Sequence, residues 1–304
     1  VTPTRTAALG PPAEGVLRYT VYPGRARWWG ILRTASAIRL VDLGVFDATR
    51  VAPRRVWAER LLGPLGNLLA DHRRLELRLH PALEALDVHA LSIGGRPLIA
   101  AIEVVYAIGA PRSEDVPPGT RRAGVLVVAD PTGDLDGARR EGAAVAEVLA
   151  ARTDHAVIHR TGVRASVDEV QDLLTRVDGF HYAGHARFSD RGLDSALVLP
   201  EGGLSMADVL GLPRGPRWVV LSGCETSRQR GEGQASDLGL AHAFLLRGAE
   251  EVLATTRQVD DDVAAALSEP LYEASDRLAA GLRAAWRTTE APPEALAPYR
   301  VLVP

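Results

Sequence analysis

Two side chains in this sequence carry the chemistry of a nucleophile and its base. Cys224 is the only cysteine among 304 residues. It follows the apolar run RWVVLSG, and His185 follows a second such run, GFHYAG. A free thiol titrates near about 8.5, so a neighbouring imidazole raises the thiolate fraction available at neutral pH. The thiolate attacks a carbonyl carbon, and the imidazolium then returns the proton to the leaving group. The loop and helix expected after Cys224 would leave backbone N–H groups to stabilise an oxyanion. Residue types alone leave a plainer reading open: a buried Cys acting as a small hydrophobe and a His hydrogen-bonding a loop.

Positioning such a pair is the work of the elements around it. AGVLVVA at 123–129 is an apolar run of the kind buried on both faces of a parallel sheet. The helical pattern LDGARREGAAVAEVLAAR follows, then AVIHR, a helix near Val167–Val177 and GFHYAG. SALVLP, a short helix at Met206–Leu210, RWVVLSG, a helix over Gln234–Arg247, EEVLATT and a long helical stretch from Asp260 continue the series. Pro270 is expected to kink or divide that stretch, and YRVLV reads as a final strand. This alternation predicts an α/β fold, a doubly wound, mainly parallel sheet flanked by helices. In such sheets sites form beyond the carboxyl ends of the strands, where His185 and Cys224 both fall.

Upstream, VLRYTVYP, RWWGILRT and AIRLVDLG read as a meander of short antiparallel strands. Pro64 predicts two short helices rather than one, and a strand ends the region at Ile102–Ile108. The expected organisation is a loose tail over 1–14, a smaller α+β subdomain over 15–109, a Pro-rich linker at 110–122 and the site-bearing subdomain over 123–304.

Composition excludes several mechanisms. All 35 basic side chains are Arg, so there is no P-loop, Schiff-base or kinase-strand lysine. One Cys excludes an intrachain disulfide, a Cys-based zinc finger or a Cys-ligated cluster, and suits a reducing cytoplasm. A net charge of −3 without a basic stripe gives no footprint for nucleic acid. No segment is long and apolar enough to span a membrane, and the first fifteen residues lack a secretory core.

The quoted segments resemble the CHAT domain, a caspase-like cysteine peptidase module related to separase and often attached to TPR repeats. The resemblance rests on His185-Ala186, Ser195-Ala196-Leu197, Ser222-Gly223-Cys224-Glu225-Thr226, Gly231-Glu232-Gly233 and Val259-Asp260-Asp261 in that order. Fainter likeness extends to ADPTGDLDGARREG and to the upstream strands. It implies a caspase-like fold preceded by a degenerate caspase-like half. It also implies a protease with Cys224 as nucleophile, His185 as base and acid, and the N–H groups of Cys224 and Ala186 as oxyanion hole. No metal and no organic cofactor are implied. Ala186 stands where the family has Gly, and Arg257 where it commonly has Trp; the first narrows backbone freedom and the second changes the cleft. A catalytically silent scaffold that binds a partner protein is the alternative.

The resemblance further implies a cytoplasmic role in bacterial defence or programmed death. The partners would be a protein substrate, such as a gasdermin-like effector, and a regulatory sensor protein. Without TPR repeats in this sequence, any gate would be a separate protein, a missing segment or the upstream subdomain. Glu225, Asp260 and Asp261 are candidates to bind a basic substrate side chain. Asp260 to Asp262 also suit an N-cap and first helical turn. His181, four residues before His185, shares its strand face, yet no clear third ligand completes a metal site, and a packed histidine is the plainer reading. Ser222 lacks a Gly-x-Ser-x-Gly elbow, so a structural hydroxyl is expected there. Gly231 and Gly233 complete no phosphate loop, and Trp28-Trp29 are expected to pack the upstream subdomain.

Overall fold

A computed structural model describes residues 11–48, 52–109, 124–152, 156–187, 195–222, 238–275 and 277–304. The linker expected at 110–122 lies outside them. The chain divides into two units, 1–106 and 107–304.

In the first unit β1 (Val16–Pro23), β2 (Trp28–Arg33) and β3 (Ile38–Gly44) form the predicted antiparallel meander. Helix α1 (Arg54–Leu62) gives way at Gly63 to a 3-10 segment through Leu69, so the interruption at Pro64 is real. β4 (Arg74–Leu79) then pairs parallel to β1. The stretch after it resolves into a small hairpin, β5 (Ser92–Ile93) and β6 (Arg96–Pro97), whose two-residue turn uses Gly94 and Gly95 at positive φ. One turn of helix, α2 (Leu98–Ala101), leads into β7 (Glu103–Ala107), parallel to β4. Trp28 stacks on Phe46 at 4.8 Å and Trp57 meets that ring edge-on at 5.3 Å, making Trp28 part of the packing.

The second unit holds the alternating elements: β8 (Gly124–Ala129), α3 (Asp136–Ala151), β9 (Ala156–Thr161), α4 (Val167–Leu174) and β10 (Gly179–Ala183). Three short strands follow, β11 (Ala186–Arg187), β12 (Ala196–Leu199) and β13 (Gly202–Ser205), then α5 (Met206–Gly211) and β14 (Trp218–Ser222). The chain ends with α6 (Leu238–Leu246), β15 (Glu251–Thr255), α7 (Asp261–Glu273), α8 (Leu278–Thr288), α9 (Pro293–Leu296) and β16 (Tyr299–Val303).

The sheet order in this unit is β16-β15-β14-β10-β8-β9. Every neighbouring pair is parallel except β15 with β16. Every residue of β8, β10, β15 and β16 is buried, as the uninterrupted apolar runs require of strands covered on both faces. Phe180 meets Phe244 of α6 on one face at 5.9 Å, and α3 packs on the other. Local signals set several helix starts: Ser166 caps α4, Ser205 and Asp208 form a capping box on α5, and Asp260 caps α7. Pro270 neither kinks the chain out of α7 nor ends it; the division from α8 comes four residues later. Among the described residues no helix is long and apolar enough to cross a membrane.

Candidate active site

Three strands of the second unit end in one row. Ala129 of β8 is the register partner of Ala183 of β10, and Ala183 that of Ser222 of β14. The ladder runs one residue further, with Asp130 N–H donating to Ala183 O (2.8 Å) and Gly184 N–H to Ser222 O (3.4 Å). Beyond this row lie the Asp130–Leu135 loop and His185. Cys224, Glu225 and the Gly231–Gly233 loop lie outside the described residues.

The loop after β8 is braced from within. Asp130 takes φ 45° and is only 1% exposed. Its carboxylate accepts from Leu135 N–H at 2.9 Å and from Arg139 Nε and Nη2 at 3.0 and 2.6 Å. One buried acid therefore fixes both the turn and the first turn of α3. Gly184 allows this loop to come close: a Cβ there would sit 2.8 Å from Tyr182 Oη and 2.9 Å from Pro131 Cδ.

The loop presents Asp134 to His185. Both carboxylate oxygens lie 3.2 Å from His185 Nε2, and Thr132 Oγ1 donates to Oδ1. The Thr132 hydroxyl, foremost, holds the Asp134 carboxyl below the usual carboxylate range; burial opposes it, and His185 adds to the lowering. The carboxylate thus engages the Nε2 side of the His185 ring. The backbone of His185 is held too. Its carbonyl accepts from Val198 N–H (2.9 Å) and lies 2.6 Å from the Tyr182 hydroxyl, which is 2.8 Å from Val198 O. Ala186, buried in β11, is opposite Leu197.

Asp260 sits at the N-terminus of α7 and accepts from Asp262 N–H at 2.9 Å; Asp262 pairs with Arg140 at 3.0 Å. Asp261 presses on the start of α3, where a Cβ on Gly137 would come within 2.7 Å of its Oδ2. Arg257 Nη1 lies 3.4 Å from Thr256 Oγ1. His181 is fully buried, in keeping with a packed histidine, and no group of three or more metal-ligating side chains assembles among the described residues.

The sequence reading did not single out Asp130, Asp134 or Glu141. The first two carry a signal in retrospect: DPTGD stands directly after the run AGVLVVA, at the same kind of strand end that marked His185 and Cys224. Glu141, on α3, is 3% exposed and lies beneath the row of strand ends. Its Oε1 accepts from Ser268 Oγ (2.6 Å) and is 3.3 Å from His181 Nε2, whose Nδ1 is 2.8 Å from Tyr272 Oη. The Glu141–His181 contact has ion-pair distance without well-directed hydrogen-bond geometry. Burial alone would raise the Glu141 carboxyl; His181, together with the Ser222 and Ser268 hydroxyls, outweighs it and holds the group below its ordinary value.

A family model described as CHAT domain matches residues 52–294. No curated protein sequence matches the chain. Among solved structures, the Arg-specific cysteine proteinase gingipain R superposes with a TM-score of 0.52 at 14% identity, over 79% of this chain and 65% of that one. A chain of the Saccharomyces cerevisiae separase–securin complex gives 0.52 at 14% identity, over 86% of this chain and 18% of that one. This chain thus spans just under two-thirds of the gingipain chain and under a fifth of the yeast one. At these identities the likeness is one of fold.

Proposed function

The chain belongs to the CHAT domain family and has the caspase-like protease fold, and from that premise we propose that it is a cysteine endopeptidase working through a Cys224–His185 dyad. One observation carries the reading. Ala183 and Ser222 are register partners on adjacent parallel strands, and His185 and Cys224 each stand two positions further along the sequence. In this mechanism His185 takes the thiol proton and the thiolate attacks the scissile carbonyl. The N–H groups of Cys224 and Ala186 receive the oxyanion, and His185 returns the proton to the departing amine. Water then cleaves the acyl-enzyme with His185 as base. Asp134, absent from the sequence reading, orients the imidazole through its contacts at Nε2.

Glu225 and Asp261 would face a basic side chain of a protein substrate, while the Asp260 carboxylate is engaged in capping α7. A gasdermin-like or other effector as substrate, a sensor protein as regulator and a role in bacterial defence belong to the same proposal. The test is to compare new protein N-termini produced by the wild-type chain with those produced by Cys224→Ala and His185→Ala. Cleavages lost in both variants, with the fold retained, are the expected result. Cleavage that persists in either variant refutes the dyad. A folded wild-type protein whose Cys224 resists peptidyl electrophiles would instead favour the silent scaffold.

A further inference from the structure

The second unit buries a set of polar groups that the proposed chemistry does not use. Glu141, His181, Ser222 and Ser268 are each at most 3% exposed, and Tyr272 is 4% exposed. They come from four elements: α3, β10, β14 and α7. Val220 and Ser222 lie on the face of β14 that His181 and Ala183 occupy on β10, since the register pairs His181 with Val220 and Ala183 with Ser222. α3 can reach this face closely because its next residue is glycine. A Cβ on Gly142 would fall 2.1 Å from the Ala129 Cβ.

Burying a carboxylate here costs desolvation that an aliphatic set of similar volume would avoid, so stability is a poor reason for its presence. His181 Nε2 and Ser222 Oγ, moreover, lack well-formed hydrogen-bond partners among the described residues. What the geometry does show is Glu141 of α3 meeting β10 at His181 and α7 at Ser268, on the sheet face that Ser222 shares. His181 is four residues before His185 on β10, and Ser222 is two before Cys224 on β14. We infer that Glu141 is a positioning residue, reaching from α3 to His181 on the face that β10 shares with Ser222 of β14, and so setting the relative placement of the strand ends that precede His185 and Cys224 in sequence. This rests on the dyad reading.

The electrostatic surroundings fit the role. The Glu141 carboxyl is held below its ordinary value, and the Tyr272 hydroxyl is raised well above its own, first by burial and then by the Glu141 charge. His159 of β9 faces the same region; burial, then Arg164, His181 and Arg160, push its imidazole down. A charged carboxylate is thus set against the Ser268 hydroxyl and the His181 imidazole, which in turn meets Tyr272 Oη. Displacing a thiolate from an imidazolium by about 1 Å weakens their attraction enough to move a titration midpoint by roughly 0.5–1 pH unit.

Because Cys224 is the only cysteine, alkylation by iodoacetamide reads that thiol alone. Its rate is measured from about pH 5 to 9 in the full chain and in His185→Ala, Glu141→Gln, Ser222→Ala and Tyr272→Phe, with the folded fraction followed by circular dichroism. Glu141→Gln should move the midpoint upward by about 0.5–1 unit, equal to a three- to tenfold slower reaction below the midpoint. A merely structural role would change melting and leave the profile of the folded molecules in place, and that result overturns the inference. If Glu141→Gln does not fold, Ser222→Ala and Tyr272→Phe decide: an upward shift in either supports the positioning role, and wild-type profiles in both overturn it. An unchanged profile in His185→Ala brings down the dyad reading itself, so the two failures are distinguishable.

Discussion

Replacing Asp130 tests whether the loop that presents Asp134 depends on one buried carboxylate. Asp130 has φ 45°, a left-handed conformation that Asn tolerates and Ala does not. Its carboxylate accepts from Leu135 N–H and grips Arg139, whose side chain is 51% exposed and can return to water. In Asp130→Asn the amide oxygen still accepts from Leu135 and the backbone is still accommodated, so that variant reads the loss of the Arg139 pair alone. Asp130→Ala additionally orphans the Leu135 N–H and strains the turn, each at about 1 kcal/mol, together about 2 kcal/mol. At about 1.4 kcal/mol per tenfold, the difference between the two variants is roughly 30-fold in the opening of the loop. Hydrogen exchange at the Leu135 amide measures it directly. If Ala and Asn exchange within about threefold of one another, the carboxylate is not what holds the turn, and the account of the loop fails.

Asp134→Asn should slow Cys224 alkylation below neutral pH by about two- to fivefold, and the difference should shrink in high salt because the carboxylate is solvent-exposed. An effect indifferent to salt would contradict this. Gly142→Ala forces α3 away from Ala129 and should cost about 1–3 kcal/mol, lowering Tm by roughly 3–10 °C; an unchanged Tm would show that the contact yields freely. Glu141 titrates lower folded than unfolded, so its contribution to stability is present above the unfolded carboxylate range and is lost as pH falls through the lower folded value. Urea midpoints taken from about pH 7 to 3 should therefore fall less in Glu141→Gln than in the wild type, and parallel curves would argue against it.

The α/β architecture was legible because its strands are buried on both faces and so written as unbroken apolar runs, with helices between them. His185 and Cys224 stood out because they are titratable residues at the ends of such runs. Asp134 did not, since Asp, Thr and Gly after a strand spell a turn whatever lies across from it, and its partner is 51 residues away in sequence. Glu141 was hidden for another reason. It follows Arg139 and Arg140, and three charges in succession read as a solvated helix face. Only Gly142 beside it hints at close packing. Pro270 misled in the opposite direction: near the end of a helix packed against α3 and α8, the loss of one backbone donor is tolerated.

The antiparallel strand β16 has a consequence in time rather than in space. β15 finds its outer neighbour in Tyr299–Val303, after α7, α8 and α9 have been made. During synthesis β8, β10 and β14 can already lie side by side while the edge of β15 stays open. The open side of β15 is thus covered by a strand that follows three intervening helices. Until then the growing chain exposes an unpaired strand edge with the apolar centre Val252–Ala254 to its surroundings, an interval in which association with a wrong partner is favoured.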